Sequence, residues 1–461
     1  MGTRARWIAY ATGTVSSPLL YHAISGYLIF FYTDVVRLDV RLVSLAYMLA
    51  YGVWNGINDP LVGQLSDRTR SRWGRRLPFI FLGAPVAAAL FVLVWSPPVG
   101  GKALADPRSV GVFVYLFVTI GLFDLAFSTV NICYAALFPE MFSDLAERAA
   151  VSIYRQIGAV IGLLLALGGT PVITGMLAKR FGTFDAWSLT AAGLAVVAWA
   201  GFWVSLAGSR ERPEYRQEGS LPLMPALRAT FTNRPFLSAA VAMLAVNVIW
   251  GWLSAMGAFF NKFVLREADA RTGLLFVVMF GTSIVFYPLW RWITLRFGAR
   301  SALIWSVALF ALLTLAGLAA ASFLQGLIMF ASLGAANAGI TLVREIVLSD
   351  IIDADELVTG VRREGMYFGI ITLVERLSLV IVGGATALVL GLGRFVAGAF
   401  PQSPRTVLAL RVGIPGLALV CLLVFLVAMR FYPLGAARVR EIQRQLGERH
   451  AARHGTGGGA A

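Results

Sequence analysis

Apolar runs of about 20 residues recur along nearly the whole chain and constrain its fold more than any other feature. A helix needs about 20 apolar residues to cross the hydrocarbon core of a bilayer, which is roughly 30 Å thick. Hydrophobic residues make up 58% of the 461 residues, charged residues only 14%, and the mean hydropathy is +0.76. Helices are required because lipid leaves an open strand edge without hydrogen-bond partners. Twelve spans are predicted, at 7–33, 41–65, 77–97, 109–138, 149–175, 184–207, 235–264, 271–294, 300–321, 323–349, 364–393 and 404–431.

A polar stretch, GSRERPEYRQEGS at 208–220, separates six predicted spans from six. This division indicates two repeated bundles with a central cavity near the bilayer midplane, an arrangement common among secondary transporters. The sequence therefore predicts an all-α membrane protein with twelve transmembrane helices in two six-helix bundles. Its predicted parts are an N-terminal bundle at 1–207, a central cytoplasmic loop at 208–234, a C-terminal bundle at 235–432 and a basic cytoplasmic tail at 433–461.

The positive charge of the chain is concentrated on one side of the predicted spans. The loop after the second span, the segment after the sixth and the tail each contain five arginines within a short stretch. Because basic loops are retained in the cytoplasm, both termini are expected there, in a plasma (inner) membrane protein. The net charge of +15 is then explained by topology and by contact with anionic lipids, not by a nucleic-acid surface. We expect a monomer without a cofactor.

The second predicted span contains a polar motif, NGINDP at 55–60. Asn55 and Asp59 are four residues apart and so share one helix face, with Asn58 about 100° away. Pro60 has no amide hydrogen, which leaves the Gly56 carbonyl available to coordinate an ion. A carboxylate, an amide and a carbonyl predict a site for a hard cation or a proton. The alternative is a carboxylate paired with an arginine as a structural lock.

The loop after this span, SDRTRSRWGRR at 66–76, carries Asp67 and five arginines. Asp67 and the arginines can pair with one another and with carbonyls at helix ends, which fixes how neighbouring helices meet. This predicts a gate element. Retention of the loop in the cytoplasm accounts for the same arginines, and the two interpretations are compatible.

Four motifs together give the chain a family resemblance. They are FFYTDVV at 30–36, NDPLVGQLSDRTRSRWGRRLPF from residue 58, NRPF at 233–236 and DELVTGVRREGMYFGIITLVER at 355–376. With these landmarks the chain resembles the glycoside-pentoside-hexuronide:cation symporters, the melibiose-permease branch of the major facilitator superfamily. The resemblance runs from the first to the eleventh span. It implies the major facilitator fold and cation-coupled uptake of a small organic solute, such as a sugar or glycoside, by alternating access.

The resemblance implies a cation site on the second helix, formed here by Asp59, Asn55 and Asn58 with Ser128 of the fourth span. Melibiose permease has two aspartates four residues apart, the second before proline, whereas this chain has Asn55 at the first position. The lost carboxylate leaves sodium and proton as competing coupling ions, since a neutral amide can still bind sodium.

The sugar site departs further from the family pattern. Sugar-binding members have an aspartate in the first helix and another in the fourth, and these positions fall on about Pro18 and on Asn131. A melibiose-like galactoside is therefore not expected as the substrate. Another glycoside remains open, and a lysolipid or other amphipathic solute is the alternative, since lysolipid symporters resemble the same family.

Further polar residues inside or beside the spans complete the predicted site, and for each a structural pairing is an alternative to a transport role. Arg155 and Arg376 match intramembrane cations of the family, and Trp250 either stacks on a sugar or anchors at the interface. The predicted substrate-binding residues are Asn131, Tyr134, Arg155, Trp250, Tyr367 and Arg376. The predicted gate or charge network comprises Asp67, Arg68, Arg72, Arg75, Arg344, Glu345, Asp350, Arg363, Glu364 and Glu375. Arg344 and Glu345 are expected to close a gate with Asp350, Asp353 or Asp355.

Two other classes of function compete with a carrier. A membrane glycosyltransferase would use Asp353 and Asp355 as a DxD motif, but these lie in a predicted short turn without a soluble catalytic domain. The sequence has no HExxH and no phosphate-binding glycine loop, so no enzyme is predicted. A receptor or scaffold gains little from charges inside its spans, which favours transport.

Overall fold

The computed structural model of the protein describes residues 3–69, 71, 73–100, 106–211, 230, 232–267, 270–360, 362–395 and 401–455. Every regular element within these ranges is a helix. The α-helices are α1 (Thr3–Ala11), α2 (Gly13–Phe30), α3 (Val40–Met48), α4 (Asn55–Arg68), α5 (Leu77–Val94), α6 (Val110–Met141), α7 (Leu145–Leu164), α8 (Thr170–Phe181), α9 (Thr183–Gly208), α10 (Arg234–Phe259), α11 (Ala270–Phe297), α12 (Ala299–Leu313), α13 (Ala316–Ala319), α14 (Phe323–Thr359), α15 (Glu364–Leu392), α16 (Pro404–Arg430) and α17 (Ala436–Gly455). Single π-helical turns lie at Phe31–Val35, Leu49–Trp54, Leu165–Gly169 and Phe260–Val264.

Ten helical segments of the described chain are long and apolar enough to cross a membrane. The two predicted spans not among them, 7–33 and 41–65, are also helical but are broken into shorter pieces. The first breaks at Thr12, whose hydroxyl donates to the Ala9 carbonyl at 2.7 Å. Such side-chain bonds compete with the helical ladder of the backbone. In the second, the π-helical turn Leu49–Trp54 separates α3 from α4.

The chain divides into two compact units. The N-terminal unit contains Met1–Ser143, Tyr154–Leu221 and Val361–Leu373, and the C-terminal unit contains Asp144–Ile153, Pro222–Gly360 and Val374–Ala461. Each unit therefore includes a short segment from the other half of the sequence.

Small residues bring the helices of the N-terminal unit into close contact. A Cβ atom on Gly162 of α7 would lie 2.2 Å from the Val15 carbonyl oxygen of α2. A Cβ on Gly201 of α9 would lie 2.3 Å from Ser16 Oγ. Lipid offers no hydrophobic drive for helices to associate, so close backbone approach of this kind supplies much of the packing energy.

The C-terminal unit is also packed through a close glycine contact, together with hydrogen bonds from tryptophan side chains. A Cβ on Gly334 of α14 would lie 2.1 Å from the Met279 carbonyl oxygen of α11. Trp290 of α11 donates from Nε1 to the Ala335 carbonyl at 2.7 Å, and Trp252 of α10 donates to the Gly413 carbonyl of α16 at 3.1 Å. These bonds satisfy the indole nitrogens where water is excluded.

Helix α14 is longer than the sequence predicted. The span was expected to end at residue 349, but the helix continues to Thr359 and ends where Gly360 adopts a left-handed conformation with φ +69°. Asp350, Asp353 and Asp355 therefore lie on the helix, and the prediction of a short turn at the DxD motif was wrong. A span predicted from hydropathy stops at the first charged residues. The helix itself continues until a residue such as Gly360 adopts a conformation that ends it.

Candidate functional site

Asp59 and Asn58 lie at the contact between α4 and α6 of the N-terminal unit. The Asp59 side chain is completely buried, and Asn58 is nearly so. Asn58 donates from Nδ2 to Asp124 Oδ2 of α6 at 2.7 Å. Two carboxylates and an amide therefore occupy the buried parts of neighbouring helices. Buried ionisable groups in a membrane protein are costly and commonly mark ion pathways.

Ser128, the predicted hydroxyl ligand, lies on α6 one turn after Asp124 and is also buried. The side chain of Asn55, the other predicted cation ligand, lies outside the described part of the structure. Among the described residues, no group of three or more His, Cys, Asp and Glu side chains is placed to hold a metal ion. A sodium ion at this place would therefore also need amide, hydroxyl or carbonyl oxygens.

Asn131 of α6 lies beside the first predicted span. Its Oδ1 accepts a hydrogen bond from Ser17 Oγ of α2 at 2.8 Å, next to Pro18. The two positions that carry aspartates in sugar-binding relatives of the melibiose type are therefore neighbours here, and both are uncharged. The pair offers hydroxyl and amide groups for hydrogen bonding.

Tyr134 and Arg155 form an aromatic and cationic contact with the first predicted span. The Tyr134 ring stacks on Tyr10 with centroids 4.9 Å apart, and its hydroxyl donates to the Tyr10 carbonyl at 2.6 Å. The Arg155 guanidinium lies over the Phe138 ring, 4.6 Å from its centroid. Such cation–π contacts stabilise a buried guanidinium. Both predicted substrate residues are buried in this conformation.

A group of six charged residues, here called the Arg76 cluster, lies near the end of α4 in the N-terminal unit. Arg76 donates to Asp67 at 2.9 Å and to Glu364 at 2.7 Å, and it also pairs with Glu140 of α6. Arg75 lies 3.2 Å from Glu140. The three arginines and three carboxylates of this group pair with one another, and the buried Glu211 carboxylate accepts hydrogen bonds from the backbone amides of Arg75 and Arg76 beside them. Its members are Asp67, Arg75, Arg76, Glu140, Arg362 and Glu364.

The Asp67 carboxylate also holds the first turn of α15. The backbone amides of Gly365 and Met366 donate to its two oxygens at 3.1 Å each. A carboxylate at a helix N-terminus satisfies orphan amides and is favoured by the helix dipole. Glycine permits the approach, because a Cβ on Gly63 would lie 2.3 Å from the Gly365 carbonyl oxygen.

Burial and charge act in opposite directions on the pKa values of Asp67 and Arg76, both of which lie outside the predicted spans. Burial raises the pKa of the Asp67 carboxyl, although Arg76 opposes the increase. Burial by itself would lower the pKa of Arg76, but Glu364, Glu140 and Asp67 together hold that pKa well above its ordinary value. Arg76 is therefore the fixed charge of the cluster.

The other predicted members of the gate differ in their placement. Arg68 is exposed at the end of α4, and Arg72 lies outside the described residues. Arg363 is buried with its guanidinium 5.8 Å from the centre of the Tyr367 ring, and Tyr367 is itself fully buried. Tyr367, a predicted substrate residue, is thus packed beside the Arg76 cluster.

In the C-terminal unit, Arg148 and not Arg344 pairs with the acidic residues of α14. Arg148 donates to Asp350 at 3.1 Å and to Asp353 at 2.8 Å. Arg344 forms an ion pair with Glu375 of α15 and donates to Asn247 of α10 at 3.2 Å. The expected pairing of Arg344 with Asp350 or Asp353 was wrong, because Arg344 lies one to three turns earlier on α14.

The remaining predicted residues of this unit are partly accessible. Trp250 of α10 is half-buried and meets Phe280 edge to face, with ring centroids 5.7 Å apart. Glu345 and Arg376 are also half-buried. Trp250 lies three residues after Asn247 and so shares its face of α10.

Sequence reasoning missed four residues of the charge clusters, namely Arg76, Arg362, Glu140 and Arg148. Arg76 was counted only among the basic residues of its loop. Glu140 follows Pro139 at the end of an apolar run, and Arg148 directly precedes the fifth predicted span. Glu140 and Arg148 could have been identified as charged residues close to the end of a predicted span, because such groups become buried where helix ends pack.

Solved structures share this fold. A bacterial homologue of the iron transporter ferroportin, in the outward-facing state, matches with a TM-score of 0.66 at 13% identity, over 93% of this chain and 99% of that one. The major facilitator proton:xylose symporter XylE matches with a TM-score of 0.61 at 14% identity, over 94% and 96%. These matches show that the chain has the major facilitator fold, as predicted.

The family follows from the sequence match. The family described as "MFS/sugar transport protein" matches residues 9–436, and the chain belongs to it. The resemblance to the glycoside-pentoside-hexuronide:cation symporters is confirmed, as is the prediction that the protein is not an enzyme.

Curated relatives align over nearly their full length. An uncharacterized symporter from Synechocystis is 25% identical over 97% of both chains. The isoprimeverose transporter of Lactiplantibacillus pentosus is 25% identical, over 92% of this chain and 87% of the relative. The glucuronide carrier protein homolog of Escherichia coli is 23% identical, over 96% and 95%.

Proposed function

We propose that the protein is a cation-coupled symporter of a sugar or glycoside that works by alternating access. The family match, the names of the relatives and the charges retained inside the helices support this function. Two of the relatives are named for a sugar derivative, isoprimeverose in one and a glucuronide in the other, which favours a sugar over the alternative of a lysolipid.

The complete burial of Asp59 in α4 is the observation that carries the coupling mechanism. A carboxylate at the centre of a membrane helix costs about 2.5 to 3.5 kcal/mol on the insertion scale, so its retention calls for a compensating role. Binding of a cation or proton at Asp59 would neutralise that charge. The same event would favour the substrate-bound carrier, which is the thermodynamic basis of symport.

The coupling ion is sodium or a proton. Asn55 removes one carboxylate from the family pattern, but Asp124 brings another to the same helix pair through its bond with Asn58. We therefore propose Asp59, Asn58, Asp124 and Ser128, with Asn55, as the ion site. Oxygen ligands of this kind suit sodium, and a single buried carboxylate suffices for a proton.

The Arg76 cluster and the pairing of Arg148 with Asp350 and Asp353 are proposed as gate elements. Both are buried ion-pair groups at helix ends, where charges have discrete partners and can exchange them. Alternating access requires elements with two discrete arrangements. Substrate contacts are proposed for Asn131 and Trp250, with Tyr134, Arg155, Tyr367 and Arg376 as further candidates. We propose a monomer in the plasma membrane, in contact with lipids and with both termini cytoplasmic.

Uptake of radiolabelled isoprimeverose into proteoliposomes tests this function. An inward sodium gradient, an inward proton gradient and no gradient form the three arms, with empty liposomes as the control. Accumulation above equilibrium in one gradient arm alone would identify the coupling ion. Equilibration at the same level in all arms would contradict symport, and uptake of a lysolipid alone would favour the alternative.

A further inference from the structure

Three polar side chains from three helices meet in the C-terminal unit. Arg344 of α14 forms an ion pair with Glu375 of α15 and donates from Nη1 to Asn247 Oδ1 of α10 at 3.2 Å. All three lie well inside their helices, away from the ends. This set, Asn247, Arg344 and Glu375, is here called the Arg344 triad.

The triad differs from the gate clusters in its accessibility. The Arg344 and Glu375 side chains are 35% and 34% exposed, whereas those of the Arg76 and Arg148 pairs are at most 6% exposed. Charged groups inside a membrane span face a protein interior or a water-filled cavity, because contact with lipid is costly. The open side of the triad is therefore expected to face water, where a solute can reach it.

The charge of the triad favours a neutral ligand. Glu375 already balances Arg344, so an anionic group placed here would be repelled by a carboxylate as well as attracted by the guanidinium. The triad instead presents acceptor oxygens on Glu375 and donors on Arg344. Beside them, the buried Nδ2 of Asn247 has no hydrogen-bond partner among the residues that the structure describes. Adjacent donors and acceptors of this kind suit the neighbouring hydroxyls of a sugar.

An apolar surface lies on the same face of α10. Trp250 is one turn beyond Asn247, is half-buried and packs edge to face against Phe280. A sugar ring has an apolar face and a rim of hydroxyls. An aromatic ring beside a hydrogen-bonding triad is complementary to both.

Resting on the function proposed above, we propose that the Arg344 triad is the hydroxyl-binding subsite for a neutral sugar or glycoside. Glu375 is its acceptor carboxylate and Trp250 its stacking surface. This subsite supplies the carboxylate that the N-terminal unit lacks at Pro18 and Asn131.

Cysteine labelling tests the accessibility of the triad without any substrate. Both native cysteines, Cys133 and Cys421, are buried, which keeps the background low. Glu375→Cys is expected to react with a hydrophilic methanethiosulfonate, whereas Leu377→Cys, at an exposed apolar position of α15, is expected to react only with a lipid-soluble maleimide. Thermal unfolding of each variant checks the fold. Labelling of Glu375→Cys by the lipid-soluble reagent alone would overturn the subsite, whatever the protein transports.

Binding measurements test the ligand class. Glu375→Gln preserves size and one acceptor, and it is expected to weaken isoprimeverose binding by about tenfold to a hundredfold, the usual value of a charged hydrogen bond. Monodeoxy analogues of isoprimeverose locate the contact. The analogue that lacks the contacted hydroxyl should bind weakly to the wild type, and its affinity should fall little further in Glu375→Gln. Glu375→Asp should recover part of the isoprimeverose affinity that Glu375→Gln loses.

The outcomes separate the subsite from the proposed function. Unchanged isoprimeverose affinity in Glu375→Gln, with transport intact, would overturn the subsite but would not contradict the proposed symporter function. A preference for p-nitrophenyl glucuronide over isoprimeverose that is lost in Arg344→Gln would make Arg344 an anion site and would also overturn it. A wild type that binds and transports a lysolipid but no sugar or glycoside would contradict the proposed function and the subsite together.

Discussion

Asn58 of α4 donates an amide hydrogen bond to Asp124 Oδ2 of α6 at 2.7 Å. The bond places the side chain next to Asp59 in direct contact with a second buried carboxylate. The chain lacks the first aspartate of the family pattern at position 55, and Asp124 is a second buried acid beside α4 that can replace its charge.

Asp124→Asn should therefore weaken coupling without unfolding the protein. The amide oxygen can still accept from Asn58, but the charge that attracts the ion is lost. Loss of one charged interaction corresponds to about 1.5 to 3 kcal/mol, so the ion concentration for half-maximal uptake should rise at least about tenfold. Uptake titrated with sodium and with pH measures this change. An unaltered ion dependence would remove Asp124 from the site.

Arg76→Ala should destabilise the N-terminal unit. The substitution leaves three buried carboxylates, Asp67, Glu140 and Glu364, without the guanidinium that joins them. Breaking a buried ion pair by removing one partner costs about 3 to 5 kcal/mol. Thermal unfolding in detergent should show a clearly lower melting temperature than for Arg68→Ala, which removes an exposed arginine of the same loop. Equal melting temperatures would show that the cluster adds no stability.

Gly63→Ala should disturb the contact between α4 and the start of α15. The new methyl group would lie 2.3 Å from the Gly365 carbonyl oxygen, a backbone atom that cannot move independently. Overpacking of this kind costs about 1 to 3 kcal/mol. Gly121→Ala in α6 is the matched control, because a Cβ there has no neighbour within 4 Å. A melting temperature for Gly63→Ala as high as that of the control would contradict the prediction.

The fold could be predicted from the sequence to a large extent because span length and hydropathy are local properties. The predicted spans 364–393 and 404–431 correspond closely to α15 (Glu364–Leu392) and α16 (Pro404–Arg430). The break at Thr12 was not predicted. A hydroxyl that competes with the backbone hydrogen bonds of a helix does not change the hydropathy of the segment.

The charge partners could be predicted only in part. Asp67 was recognised from its place in a charged loop, but the backbone amides that donate to it, those of Gly365 and Met366, lie about 300 residues later in the sequence. Pairings at such separations depend on helix packing, which spacing does not reveal. Arg344 shows the limit most clearly, because Glu345, Asp350 and Asp353 are closer in sequence than Glu375, its partner in the structure.

Asn131→Asp should shift substrate preference toward hydroxyl-rich sugars, including galactosides. The carboxylate can keep the hydrogen bond from Ser17, which spans 2.8 Å, and adds an acceptor where melibiose-type relatives have one. The fold should be preserved for the same reason. Competition of galactosides against isoprimeverose uptake measures the shift. Identical competition by wild type and variant would show that this position does not contact the substrate.

The most direct test of the account is concentrative uptake by Asp59→Asn. The substitution retains the size of a fully buried side chain but removes its charge and its titration. In proteoliposomes the variant should fail to accumulate isoprimeverose against its gradient while still exchanging it downhill. Asp34→Asn, which changes an exposed acid after α2, should accumulate it normally. Accumulation by Asp59→Asn at the wild-type level would contradict the assignment of Asp59 as the coupling carboxylate.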